Sequence, residues 1–365
     1  MSRSVITFSK DNLDFSSTLN QRVNEYFRTR KISKHGNREM FIKTIFMFLL
    51  YFVPYLAILT ETVTHPVLQI ISVVIMSIGL SGIGLSVIHD ANHGAYSKQK
   101  WANTLIGYSL NMVGANAFNW KIQHNVLHHT YTNVHDEDED ISPRGVLRMT
   151  PHSAWKPIHR YQYIYAWFLY GLMTIVWMVV KDFARLIKYQ KNGLLKKHSG
   201  NATKEWIILI ATKIIYISYI FILPVLLTDL SWWQVLIGIT ILHYLAGFML
   251  AIIFQPAHVI DGTAYPLPNE DNMLENNWAI HQLHTTTNFG NDSRWFSWYV
   301  GGLNFQIEHH LFPNICHVHY RNIAAIVRKT TIDFGLPYKS CRTFLDALNG
   351  HAKLLRSLGR RPTTV

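Results

Sequence analysis

The sequence predicts an all-α integral membrane protein with four transmembrane helices and a helical cytosolic cap that holds a histidine-rich site. Three observations carry that expectation. Hydrophobic residues make up 49% of the 365 and charged residues 15%, against roughly 25% charged in an average soluble protein. Four stretches almost free of charge are each long enough to cross a bilayer, which takes about 17 to 25 helical residues. Three histidine clusters, in a chain with 20 histidines, each adjoin an apolar segment.

Residues 1–43 are polar and end in a basic run, Arg28, Arg30, Lys31, Lys34, Arg38 and Lys43. They read as a cytosolic arm with an interfacial helix, without the apolar core and small-residue cleavage site of a signal peptide. Thr44 to Thr60 and Pro66 to Ile88 are two spans joined by a turn around Glu61 to His65. With the basic arm inside, the chain goes out and returns, so His89 and His93 emerge at the cytosolic end of the second span. Leu105 to Phe118 is apolar but too short to cross, which suits a re-entrant or interfacial piece. His124 to His129 follows, then the acidic run Asp136 to Asp140. Alone, that run reads as a solvated loop or helix start; beside histidines, carboxylates act as acceptors that fix the ring tautomer.

Gln162 to Val180 is long enough to cross, but the basic loop after it, Lys181 to Lys204, belongs in the cytosol. Trp206 to Thr228 and Ser231 to Phe254 form a tight hairpin around Asp229 and Leu230. A crossing at 162–180 would therefore put the third cluster on the opposite side from the first two. The expectation is four spans, with 162–180 along the membrane surface or packed in the cytosolic part. Lys213, inside the third span, is placed to snorkel or to face a helix partner. His258, in Phe254-Gln-Pro-Ala-His258, follows the fourth span as His89 follows the second. The chain thus divides into an N-terminal arm (1–43), a membrane domain with its cap (44–320) and a basic tail (321–365). The tail is amphipathic, and its pattern fits a membrane-surface or donor-docking face as well as a solvated helix face. No internal repeat or low-complexity segment occurs.

On an α-helix His124 and His128 share one face, and His129 lies about 100° further round. Three imidazoles so placed reach two neighbouring points in space. His89 and His93 form another i, i+4 pair, and Gln306, His309 and His310 make the third cluster. Imidazole suits zinc, copper, iron and nickel. Eight histidines, His89, His93, His124, His128, His129, His258, His309 and His310, fall at comparable depth on one side. That is too many for one ion, and two metals are the economical reading. The His-Glu-x-x-His of a zinc protease is absent, as are the Glu-x-x-His pairs of a carboxylate-bridged bundle. With only Cys316 and Cys341, a thiolate cage or disulfide framework is excluded. What remains is a histidine-rich dinuclear centre, with iron the metal of choice, at the mouth of an apolar bundle. Iron, dioxygen and two electrons generate an oxidant strong enough to break an unactivated C–H bond, and the spans would line a dry channel for an apolar chain. The net charge of +12 sits beside apolar segments, where anionic lipid and the positive-inside bias account for it. No nucleic-acid-binding motif is present, and no nucleic-acid partner is expected.

At these residues the chain resembles the membrane fatty acid desaturase family. Its signature is three histidine boxes, His-x(3–4)-His, His-x(2–3)-His-His and (His or Gln)-x-x-His-His. His89-Asp-Ala-Asn-His93, His124-Asn-Val-Leu-His-His129 and Gln306-Ile-Glu-His-His310 match all three in order, and the resemblance covers roughly residues 40 to 325. It implies a di-iron centre, dioxygen as co-substrate and a long-chain fatty acyl substrate, carried as acyl-CoA or acyl-lipid. The eight histidines would be its ligands, with His258 matching the histidine that completes the metal shell after the fourth span. Glutamine opening the third box looks like the front-end subgroup, of delta-5 or delta-6 type, which inserts a cis double bond between an existing one and the carboxyl end. The chain departs from many front-end members in lacking the His-Pro-Gly-Gly of a fused cytochrome domain; His65-Pro66 is followed by valine. Electrons are then expected from a separate donor, a ferredoxin or free cytochrome. Gln306 stands where relatives have histidine, and ligation, holding a metal-bound water and shaping the channel remain open for it.

Trp120, Asn125 and Trp278 flank the boxes as candidates for the cofactor surround or channel wall, though core packing accounts for such residues equally. His281 and His284 are expected beyond the ligand set, and His243, mid-span, as a neutral histidine hydrogen-bonded between helices. Two competing functions are weighed: a lipid or alkane hydroxylase with the same centre, and a histidine-rich membrane metal transporter. The transporter predicts ligands at the bilayer midplane on broken helices, whereas these clusters fall at the cytosolic ends.

Overall fold

A computed structural model describes residues 6–141 and 145–362. The chain forms two interleaved compact units. A membrane unit comprises Arg38–Ile122 and Trp167–Ile252; a histidine-rich unit comprises the chain before Arg38, Gln123–Ala166 and the chain from Ile253 onward. The N-terminal arm, up to Asn37, and the basic tail both belong to the histidine-rich unit.

Among the described residues, four continuous helices are long and apolar enough to cross a bilayer: Arg38–Leu59, Pro66–Asn92, Ala202–Leu227 and Trp232–His258. They agree with the four charge-free stretches, each within a few residues of the bounds set by charge. The ambiguous stretch at 162–180 is not a straight helix. It breaks between Pro157–Gly171 and Met173–Lys191 with a bend of 57°, and only the two arms together reach the apolar length of a span. Leu105 to Phe118 falls across the short helices Lys100–Gly107, Ser109–Met112 and Ala117–Trp120.

Within the membrane unit the first two spans pack closely because glycine permits it. A Cβ at Gly79 would lie 2.7 Å from the Tyr51 backbone nitrogen, so the two backbones are in direct contact there. Lys213, Asp182 and His243 show how polar groups in this apolar surround find partners, since burying them unpaired is costly. Lys213 does not snorkel: its ammonium donates to the Asp182 carboxylate at 2.7 Å and the Gly114 carbonyl at 2.6 Å. Asp182 also accepts from the Trp177 indole at 3.0 Å, and its carbonyl accepts from the Asn119 amide at 2.8 Å. His243 is buried and hydrogen-bonded to the Tyr216 hydroxyl at 2.6 Å.

The histidine-rich unit is built on helix packing. Leu13–Arg30 presents Phe15, Leu19, Val23 and Phe27, a stripe at four-residue spacing, to a core shared with Ile323 and Val327 of Tyr320–Asp333 and with Ile280, Leu283, Ile307 and Leu311. The interfacial helix expected in the arm is therefore a core helix: protein, not bilayer, covers its apolar face. Two short parallel ladders, Thr7–Phe8 with Met273–Leu274 and Asn288–Phe289 with Ser340–Cys341, tie the ends of the chain to the segments that flank the third box. Phe344–Leu358 begins with a capping box between Thr343 and Asp346 and buries Ala347, His351 and Leu355.

Candidate metal centre

The second box does not lie on an α-helix. Lys121–His128 is a π-helix, and the His129 amide donates to the His124 carbonyl at 3.0 Å, an i to i+5 bond. The widened turn brings His129 back beneath His124, and their Nε2 atoms are 3.2 Å apart. The 100° offset expected for His129 is thus corrected by the helix type; π-turns occur most often where function requires an unusual side-chain direction.

Six histidines converge in this unit. His128, His258 and His310 present ring nitrogens within 4.8 Å of one another, and His129, His309 and His310 do the same. The two triads share His310, and His124 joins through His129. His258 ends the Trp232–His258 helix, and His309 and His310 lie on the six-residue helix Gln306–Leu311. Residues far apart in sequence supply one cluster.

Outer groups fix the rings. The His128 Nδ1–H donates to Asp138 at 3.0 Å, that of His258 to the Thr285 carbonyl at 3.2 Å, and that of His310 to Gln282 Oε1 at 2.8 Å. His309 Nδ1 pairs with the Tyr320 hydroxyl at 3.2 Å. Anchoring Nδ1 leaves Nε2 with its lone pair directed inward. The Nε2 atoms of His128 and His258 are buried and have no hydrogen-bond partner among the described residues, and neither amide atom of Gln306 has one. Buried orphan acceptors are costly, and a bound cation would satisfy them, so the donor set fits a metal site. Burial lowers the basicity of His124 despite Asp140. At His128 burial acts in the same direction, but Asp138 and Asp140 outweigh it and raise the pKa. Glu308, buried between the Asn288 amide and the Tyr338 hydroxyl, is raised by desolvation to about 7.

The acidic run is not all solvated. Asp138 is fully buried, its carboxylate taken up by the His128 ring and by the backbone N–H groups of Asn133 and Asp140. Asp140 accepts from the Gln123 amide. Gln282, Tyr320 and Thr285 were missed by sequence reasoning, since nothing in their spacing distinguishes them. Trp278 donates its indole N–H to the His129 carbonyl at 3.0 Å. His281 donates to the Thr132 carbonyl at 2.9 Å, outside the cluster. Asn125 is half-buried on the π-turn.

In the membrane unit, His89 and His93 have the expected α-helical spacing, the His93 amide donating to the His89 carbonyl at 3.1 Å. Their ring centroids are 4.7 Å apart, and the Trp120 indole lies near-perpendicular to both rings at 5.6 and 5.7 Å. Another π-turn, Ile83–Ile88, precedes them.

Residues 64–342 match the fatty acid desaturase family. The chain belongs to that family. The desaturase is 34% identical over 347 residues to the sn-1 linoleoyl-lipid 6-desaturase of Synechocystis, covering 95% of this chain and 96% of the relative. It is 36% identical over 354 residues to the acyl-lipid (8-3)-desaturase of Physcomitrium patens, covering 96% and 72%. It is 29% identical to the Delta(5) fatty acid desaturase A of Dictyostelium discoideum, covering 96% and 76%. The chain is therefore a membrane-spanning oxidoreductase of fatty acids, and neither the hydroxylase nor the transporter alternative is favoured.

Proposed function

We propose that the protein is a front-end acyl-lipid desaturase, which inserts a cis double bond between an existing one and the carboxyl end of a lipid-linked acyl chain. The names of its relatives, linoleoyl-lipid 6-desaturase, acyl-lipid (8-3)-desaturase and Delta(5) fatty acid desaturase, support the regiochemistry, and the first two support the lipid carrier. The observation that carries the reading is the six-histidine cluster, in which four rings are anchored through Nδ1 and the Nε2 atoms of His128 and His258 are unpartnered among the described residues.

His124, His128, His129, His258, His309 and His310, with His89 and His93 of the first box, are assigned as ligands of two iron ions on the cytoplasmic side. When bound, iron with dioxygen and two electrons from an external ferredoxin or cytochrome supplies the oxidant that removes two hydrogens from adjacent methylenes, oxygen leaving as water. The chain's own part is geometric. Asp138, Gln282, Tyr320 and the Thr285 carbonyl hold four of these rings, His128, His310, His309 and His258, in place, so little reorganisation is needed. Gln306, buried at the start of the same helix as His309 and His310, offers a neutral polar group; as a weak ligand for iron it is assigned to hold a water at the centre. Trp120 walls the first box.

A host fed linoleate tests the reading. Gas chromatography with double-bond localisation is expected to find a new cis double bond on the carboxyl side of the existing ones, within the lipid fraction. A hydroxylated product, or a bond toward the methyl end, would overturn the proposal. Purified protein is expected to hold two irons per chain, with His128→Ala and His309→Ala losing metal and product together.

A further inference from the structure

Behind the third box the histidine-rich unit contains an open cavity of about 400 Å³, lined by polar and apolar residues together, that the metal centre does not use. Phe305, Ala324, Tyr338, Arg328 and Arg342 line it, and Asp292 is the acid in the lining. The guanidinium groups of Arg328 and Arg342 enter no ion pair or hydrogen bond among the described residues, while Arg321 lies 5.6 Å over the Phe305 ring. The cavity therefore offers two planar cations, Arg342 also facing the Asp346 carboxylate, and their guanidinium groups match the oxygens of a phosphate group. Its walls communicate with the box: Phe305 precedes the Gln306–Leu311 helix, and the Tyr338 hydroxyl donates to Glu308 at 2.9 Å.

Two exposed apolar side chains lie three residues along the chain from Asp292 and Arg342 of the lining. Trp295 is 84% exposed and Leu345 68%. Each is the sequence neighbour of one member of the Phe296–Phe344 ring contact, 5.0 Å between centroids, which brings the two segments together. Exposed tryptophan and leucine next to arginine is the residue mixture of a membrane–water interface. Concavity, paired arginines and these exposed apolar side chains favour a lipid headgroup over the broader surface of a protein partner.

We propose that this cavity binds the phosphate of an anionic glycerolipid, Arg328 and Arg342 donating to its oxygens while Trp295 and Leu345 enter the headgroup–acyl boundary. The proposal deepens the acyl-lipid reading above and rests on it for the link to substrate.

The full-length protein in lipid nanodiscs provides the test. Quenching of Trp295, isolated as the difference between wild type and Trp295→Phe, is titrated with brominated phosphatidylglycerol and with brominated phosphatidylcholine. Phosphatidylglycerol is expected to quench at the lower mole fraction. Arg328→Gln and Arg342→Gln should each raise its half-saturation about tenfold, the worth of one charge-assisted hydrogen bond, with phosphatidylcholine unaffected. Equal quenching by the two lipids, or an unchanged midpoint in the double variant, overturns the proposal. So does displacement by millimolar inorganic phosphate or by coenzyme A, which would make a soluble phosphate the occupant. Unchanged lipid binding with slower reduction by an acidic electron donor would make the surface a protein-docking site and likewise overturn it. Because quenching needs no turnover, loss of lipid desaturation with binding intact would sink the functional reading and leave the site standing.

Discussion

At Asp138 one carboxylate oxygen accepts from both the His128 ring and the Asn133 backbone, and the other accepts from the Asp140 backbone. The side chain thus closes its own loop and orients the His128 ring, a proposed ligand, with the same group. Asp138→Asn keeps the shape but replaces an acceptor with a donor, and outer-shell changes of this kind typically cost about 10 to 100-fold in metal affinity. The expected result is iron content that falls under mild chelation at concentrations wild type withstands, measured by elemental analysis, with unchanged far-ultraviolet circular dichroism. Wild-type retention of iron would remove Asp138 from the support of the centre. The histidines proposed as ligands were legible as a cluster because imidazole groups beside apolar runs have few other uses. Their supports were not, because any Asp, Gln, Tyr or carbonyl can serve and the fold chooses which; charge patterning alone assigned Asp138 to solvent.

Helices were legible from apolar length, but their internal geometry was not. The spacing His124, His128, His129 is compatible with either an α-turn or a π-turn, and the i to i+5 bond at His129 is set by what the rings must reach. Lys213 shows the same division. Its place in an apolar span signalled a partner, yet Asp182 lies 31 residues away, and no local rule pairs them. Removing one member of a buried pair leaves the other uncompensated, at a cost of about 3 to 5 kcal/mol, whereas replacing both by apolar residues is often neutral. Lys213→Met and Asp182→Leu are each expected to lower the thermal midpoint in detergent, and the double variant to recover most of the loss. An additive double variant would show that the two groups do not act as a pair.

For the molecule, interleaving is the main consequence: the histidine-rich unit is completed only when the first and last segments of the chain meet in one core. That core holds neutral histidines that resist protonation. His281 and His351 are each depressed by burial from 6.5 to about 4, with backbone carbonyls of Thr132 and Val259 opposing the shift. Unfolding restores an ordinary affinity, so between about pH 6.5 and 4 the unfolded chain binds protons that the folded one refuses. Their contribution is complete above pH 6.5 and is lost as pH falls toward 4, each costing on the order of 3 kcal/mol at the bottom of that window. Thermal melts from pH 7 to 4.5 should show a falling midpoint, and His351→Gln should flatten the slope; an unchanged slope would mean that His351 is not the buried titrating group. The sequence by itself determined the spans, the three boxes and the kind of chemistry, because burying apolar length in lipid and collecting imidazoles are demands on composition and spacing. Tertiary structure alone decided the π-register, the tautomer-fixing partners, the core role of the N-terminal helix and the arginine cavity, because each depends on groups that become neighbours only when distant segments pack.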